Sequence, residues 1–190
     1  MVQNLDIGFA LDRRFHQLRG EMETTKKPAL LALAQIFATA KIPYAIIGGI
    51  AVQVHSREPR TTLDIDLAVA DRVKLPRARL EAAGFEETGR FAHSDNWIGP
   101  EHTPVQFTDD PALAGALARA VVIDVDGTPL RVIAVADLLH EKLRAGSDRA
   151  RRRSKRLQDL ADVEGLLEER PELDGELTAE EREVLKCVGV

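Results

Sequence analysis

Residues 43–70 read PYAIIGGIAVQVHSREPRTTLDIDLAVA, and the fold turns on this stretch. Pro43 to Ile47 is a short apolar run closed by Gly48 and Gly49, the pattern of a buried strand. A short helix, Ile50 to His55, is expected after the glycines. Between Pro59 and Ala70, Leu63, Ile65 and Leu67 alternate with Asp64 and Asp66 before an apolar end, and a period of two predicts a second strand. Carboxylates two residues apart on a strand point to one face about 6–7 Å apart, where both can offer oxygen to a hard cation. Glycines that turn a strand into a helix let backbone N–H groups approach a phosphate closely, and the helix N-terminus favours an anion. Each feature has a plain structural alternative: the acidic pair as the polar face of an edge strand, the glycines as a tight turn.

Upstream, Phe9, Leu11, Phe15 and Leu18 mark a short amphipathic, peripheral helix within residues 1–27, followed by a polar break from Glu21 to Lys27. Pro28 opens a core helix in which Leu30, Leu31, Leu33, Ile36 and Phe37 recur at helical spacing. Downstream, Leu75 to Ala83 predicts a helix closed by Gly84. Phe85 to Phe91 and Thr103 to Thr108 predict two strands, with Ala92 to Glu101 as the loop between them. Pro111 to Ala118 reads as a short helix, and the β-rich runs on either side of Asp126-Gly127 as a hairpin. Ala136-Asp137 offers an N-cap for the helix DLLHEKLRAG, and a last long helix carries Leu157, Leu160, Val163, Leu166 and Leu167 on one face. The expected division is an α/β core with N-terminal helices over residues 1–135 and a helical region packed on it over residues 136–190.

The chain has 190 residues, with 26 Lys and Arg against 31 Asp and Glu, a formal charge of −5. That balance disfavours nonspecific DNA binding, and an aromatic content of 4% disfavours a protein that grips single strands by stacking bases. No apolar run approaches the roughly 18–20 residues that span a bilayer, and the opening MVQNLDIGFALDRRF lacks the layout of a signal peptide. A single cysteine, Cys187, forms no internal disulfide and no cysteine-based zinc site, so a cytoplasmic protein without membrane partners is expected.

Gly48-Gly49, Arg60-Thr61-Thr62 and Asp64-Ile65-Asp66, in that order and spacing, resemble the nucleotidyltransferase superfamily with the polymerase-β-like fold. The wording PRTTLDIDLAV is most similar to the AbiEii-type toxin nucleotidyltransferases of type IV toxin–antitoxin systems. The resemblance extends from about Tyr44 to Leu167 and includes Asp137 to Ala145 and the pair Asp159 and Asp162. It implies a mixed β-sheet flanked by helices, with a C-terminal helical extension. It also implies a metal-dependent transfer of a nucleoside monophosphate from a nucleoside triphosphate to a hydroxyl of RNA or tRNA, a protein or a small molecule. A cognate antitoxin protein is a further implied partner.

Carried over by position, Asp64 and Asp66 hold Mg2+ or Mn2+ and are the catalytic carboxylates, while Gly48 and Gly49 cradle phosphates. Arg60 and Thr61 stand at the nucleotide, with Arg60 either holding the strand entry or contacting phosphate, and Lys142 reaches the triphosphate. One position departs from the pattern. The third carboxylate that full members carry on a neighbouring strand corresponds to Gln106, whose amide cannot act as a base. Asp109, Asp110 or Asp95 can replace it if a loop folds inward, and Asp124 is more remote; otherwise the chain is a noncatalytic nucleotide- or nucleic-acid-binding relative.

The remaining polar features have plainer readings. Asp126 serves the hairpin turn, and His55, His93, His102 and His140 lack zinc spacing and read as surface or helix-end residues. The basic run Arg149 to Arg156 either guides an anionic partner or pairs with the acidic C-terminal helices. Asp159 and Asp162 are expected to face solvent.

Overall fold

In the computed structural model, which describes residues 2–19 and 25–186, the four residues of β1 (Tyr44–Ile47) are all buried. They follow α1 (Val2–Leu18) and α2 (Lys27–Ala40), whose Ala29, Leu30, Leu33, Ala34 and Phe37 form the inward stripe. Lys41, at φ 54°, turns the chain out of α2 in the left-handed C-terminal conformation. The chain bends at Gly48 into α3 (Gly48–His55), two residues earlier than the glycines suggest, and returns as β2 (Ile65–Val69). Next come α4 (Arg77–Ala82), β3 (Glu86–Arg90), β4 (Ser94–Ile98), β5 (Pro104–Thr108) and α5 (Ala114–Arg119). The hairpin β6 (Val121–Val125) and β7 (Thr128–Val132) precedes α6 (Val135–Ser147), α7 (Arg153–Glu169) and α8 (Ala179–Lys186).

One seven-stranded sheet runs β3-β4-β5-β2-β1-β7-β6. It is mixed: β1 is antiparallel to β2 and parallel to β7, while β2 is parallel to β5. Both outer pairs, β3 with β4 and β6 with β7, are antiparallel. Asp126 (φ 52°) and Gly127 (φ 76°) supply the two left-handed residues that the β6–β7 turn needs, and Asp124 accepts from the Gly127 N–H at 2.9 Å. Asp124 therefore serves the turn as much as Asp126 does. Among the described residues no helix is long and apolar enough to cross a membrane.

Several expectations are corrected. Residues 92–101 are not simply a loop, because Ser94–Ile98 forms β4 between β3 and β5. Its text, Ser-Asp-Asn-Trp-Ile, hides the strand because an aspartate takes an inward position. Asp95 is buried there and is neutralised by Arg72 and Arg77, each at 2.7 Å. Leu63 is 59% exposed, since β2 begins only at Ile65. Among the described side chains of α1 the buried large apolar ones are Leu5 and Phe9, whereas Leu11, Phe15 and Leu18 are exposed. The Asp12–Lys26 ion pair, buried on both sides, pins α1 to the start of α2. Asp137 is not an N-cap: α6 starts at Val135, after extended Ala134, so Asp137 lies inside the first turn, where it pairs with Arg119 at 2.6 Å. On α7, Leu160, Val163 and Leu166 are buried and Leu157 is exposed. His55 stands at a helix end as expected, the last residue of α3, but it is buried, its Nε2 sitting 2.7 Å from the Ile133 carbonyl. Cys187 and most of the polar break after α1 lie outside the described residues.

Candidate active site

The site is built where the three central strands present one row of residues. The registers Ile47↔Asp66 and Asp66↔Gln106 align the end of β1, Asp66 on β2 and Gln106 on β5. Gly48 leaves β1 with φ +62°, a conformation that side chains with a Cβ resist. A Cβ there would also collide with the Asp66 Oδ2, so the glycine both makes the bend and clears space for the carboxylate. A Cβ on Gly49 would strike Arg60 Nη1 and Thr62 Oγ1. The glycines thus let the strand-to-helix bend press against the acidic segment. No side chain caps the first turn of α3.

Asp64 sits just before β2 and accepts a hydrogen bond from Thr62 Oγ1 at 2.6 Å. Burial, followed by the Asp64 charge beside it, pushes the Asp66 carboxyl up to about 7. Both line a cavity of about 540 Å³ together with Gly48, Gly49, Arg60, Thr61, Gln106, Glu141, Lys142, Arg151 and Lys155. A larger cavity, about 720 Å³, opens at the other end of β1 between Phe37, Tyr44, Leu117 and Val122; it has no carboxylate in its wall.

Lys142 and Arg60 reach this cavity from behind, inside an ion network. Lys142 is buried between Asp159 (2.7 Å) and Asp162 (3.0 Å). Arg60 grips Asp162 with two hydrogen bonds, Nε to Oδ1 at 2.6 Å and Nη2 to Oδ2 at 3.0 Å, and Arg151 holds Asp159 at 3.0 Å. Burial pulls the Lys142 ammonium down, but the charges of Asp162, Glu141 and Asp159 more than offset it and its pKa is raised. Asp159 and Asp162 do not face solvent as expected: a buried lysine and the arginine at the entry to β2 require their charge. Arg60 is thus tied to α7 and at the same time lines the cavity.

The carboxylates considered as replacements at the Gln106 position are occupied. Asp95 is held by Arg72 and Arg77, Asp109 by Arg72 and Asp110 by Arg144, each at 2.7 Å. Gln106 itself donates to Asn96 Oδ1 at 3.1 Å. The residues that sequence reasoning missed are Glu141, Arg151 and Lys155. The two cations lie within the basic run, which marked a region but not which members turn inward. Glu141 gave no signal beyond adjacency to Lys142; it is a half-buried carboxylate that makes no hydrogen bond or ion pair, its Oε2 is sealed from solvent, and burial raises its pKa.

As a cation site the arrangement offers two hard oxygen donors, Asp64 and Asp66, and among the described residues no three acidic, histidine or cysteine side chains converge on one point. Two carboxylates suit Mg2+, which commonly takes one or two carboxylates and completes its shell with water and substrate phosphate. The pKa of Asp66 is raised first by burial and then by the Asp64 charge, so a cation bound there would have to displace a proton.

No protein-family model matches the chain, and no curated protein sequence does. Solved structures do match. An antigenic nucleotidyltransferase-like protein from Paracoccidioides brasiliensis superposes with a TM-score of 0.54 at 22% identity, over 79% of this chain and 90% of that one. The antibiotic-resistance factor ANT(2'')-Ia gives 0.54 at 16% identity, covering 86% and 90% of the two chains. The lincosamide antibiotic adenylyltransferase LnuA, solved with lincomycin bound, gives 0.53 at 16% identity, covering 75% and 96%. The chain therefore has the nucleotidyltransferase-like fold: a mixed sheet flanked by helices.

Proposed function

We propose that this protein is a metal-dependent nucleotidyltransferase that moves a nucleoside monophosphate from a nucleoside triphosphate to a hydroxyl acceptor. The observation that carries the reading is the row formed by the Gly48 bend, Asp66 and Gln106, with Asp64 alongside in a cavity rimmed by Arg151 and Lys155. Asp64 and Asp66 would hold Mg2+ or Mn2+, which would supply positive charge to offset that of the triphosphate. Gly48 and Gly49 let backbone N–H groups near phosphate, and Thr61 stands at the rim. Lys155, exposed and facing the cavity, meets the triphosphate most directly. Lys142 and Arg60 hold the wall and add positive charge from behind it. In-line attack of the acceptor oxygen on the α-phosphorus expels pyrophosphate.

The acceptor classes that fit are an RNA or tRNA end, a protein hydroxyl or a small molecule. The resemblance of residues 59–69 to AbiEii-type toxins supports a toxin–antitoxin component acting in the cytoplasm with a cognate antitoxin. The test incubates the protein with each α-labelled triphosphate, Mg2+ or Mn2+, and in turn total cellular RNA, an aminoglycoside and a lincosamide. Labelled product that disappears in Asp64→Ala and Asp66→Ala is the expected result; metal-dependent nucleotide binding and transfer unchanged in both variants overturn the reading. Gln106 favours one second reading, a noncatalytic nucleotide-binding relative with a regulatory role, which the same experiment identifies by binding without product.

A further inference from the structure

With Gln106 in the strand position beside Asp66, β1, β2 and β5 offer no carboxylate for the attacking hydroxyl besides Asp66, which is assigned to the cation. Asp109 and Asp110, which follow β5, are held by arginines, and so is Asp95, which points to the opposite face of the sheet from Gln106. Among the described residues two further carboxylates line the cavities without an arginine partner: Asp148, which is exposed and accepts from the Ala150 N–H at 2.9 Å, and Glu141. Glu141 on α6 makes no hydrogen bond or ion pair, and its Oε2 is buried without a partner. Glu141 is half-buried, and the one oxygen sealed from solvent carries a desolvation cost that no hydrogen bond offsets.

A second cavity, about 480 Å³, adjoins the Asp64–Asp66 cavity, and Ile47, Gln106, Glu141 and Arg151 line both. Ser94, Thr108, Asp110 and Arg144 contribute to the second cavity's wall, so it is polar and carries both signs of charge. It is of a size for a small polar molecule or a single group of a larger one. A triphosphate in the first cavity and a hydroxyl compound in the second would meet at the shared wall.

We propose that Glu141 is the catalytic base of this protein, a helix-borne carboxylate that takes the acceptor's proton in place of a strand carboxylate. The inference rests on the transferase reading above. The acceptor O–H bond breaks as its oxygen bonds to the α-phosphorus, and the proton passes to the Glu141 carboxylate. The bond from the α-phosphorus to the bridging oxygen breaks, and pyrophosphate leaves with that electron pair. Glu141 then returns the proton to solvent, so atoms and charge balance without a further reagent.

The test measures pyrophosphate release from the four Mg2+-bound triphosphates with water and with glycerol as the hydroxyl acceptors, beside direct nucleotide binding. Glu141→Gln, nearly isosteric, is expected to lower release by about 100-fold while the nucleotide Kd stays within about threefold. Glu141→Ala should regain part of the lost rate when formate is added, a rescue that a purely structural role would not produce. Release in Glu141→Gln within about tenfold of the wild type, parallel loss of nucleotide affinity, or no formate rescue overturns the assignment. Wild-type protein that releases no pyrophosphate from any triphosphate overturns the transferase reading and Glu141 with it. A wild type that turns over, is silenced by Asp66→Asn and ignores Glu141→Gln overturns the Glu141 assignment alone.

Discussion

Gly48 holds φ at +62° beside the Asp66 carboxylate, so alanine there meets two costs, a left-handed backbone and a collision with Oδ2. Gly48→Ala should lower stability by about 1–3 kcal/mol in denaturant titration. Gly165→Ala, in a helix with open space around it, should instead be neutral or stabilising by about 0.5–1 kcal/mol. Asp66 makes a pH prediction of definite sign. Its folded pKa, about 7, lies above the ordinary 3.8, so the folded state keeps the proton that the unfolded chain has already lost. Stability from this group is full below the unfolded value and falls as pH rises through about 7. Asp66→Asn should therefore raise stability at pH 8 by about 1–3 kcal/mol and change little near pH 3, as read by melting curves at both values. Mg2+, competing with that proton, should bind more tightly as pH rises across the same window.

At the scale of elements, the ion network ties the segment before β2, α6 and α7 into one wall of the cavity. Asp162 is its centre, bonded to Arg60 and Lys142. Asp162→Ala leaves Lys142 with one of its two carboxylates and frees the arginine, and the expected loss is about 3–5 kcal/mol of folding free energy by denaturant titration. These elements were unequally legible in the sequence. The Gly-Gly bend, β2 and the Asp126-Gly127 hairpin stood out because backbone conformation and period-two burial are local properties. β4 and the buried faces of Asp159 and Asp162 did not. In each case a charged residue occupies an interior position because a partner distant in sequence, Arg72 and Arg77 for Asp95 or Lys142 for Asp159, neutralises it.

For the whole molecule, the excess of acid over base in composition conceals a local inversion. The basic run between α6 and α7 brings Arg151 and Lys155 to the rim of a cavity floored by aspartates. Lys155 is exposed, so Lys155→Ala should leave the melting temperature unchanged while weakening Mg2+–triphosphate binding by about 5–30-fold at low salt, with the difference shrinking as salt rises. Titration calorimetry at two ionic strengths reads both effects. A triphosphate with Mg2+ should itself raise the melting temperature of the wild type, by about 3 kcal/mol of stabilisation at a hundredfold excess over Kd.

What the sequence determined by itself was the order of helices and strands around residues 43–70, the Gly48–Gly49 bend and the pair Asp64 and Asp66, because sterics and hydrophobic periodicity act between near neighbours. Only the tertiary structure decided that Lys142 is enclosed by Asp159 and Asp162, that the alternative carboxylates are held by arginines, and that Glu141 lies unpaired between two cavities. The physical reason is that the state of a buried charge is set by the groups that packing brings to it, and those groups come from segments far apart in the chain.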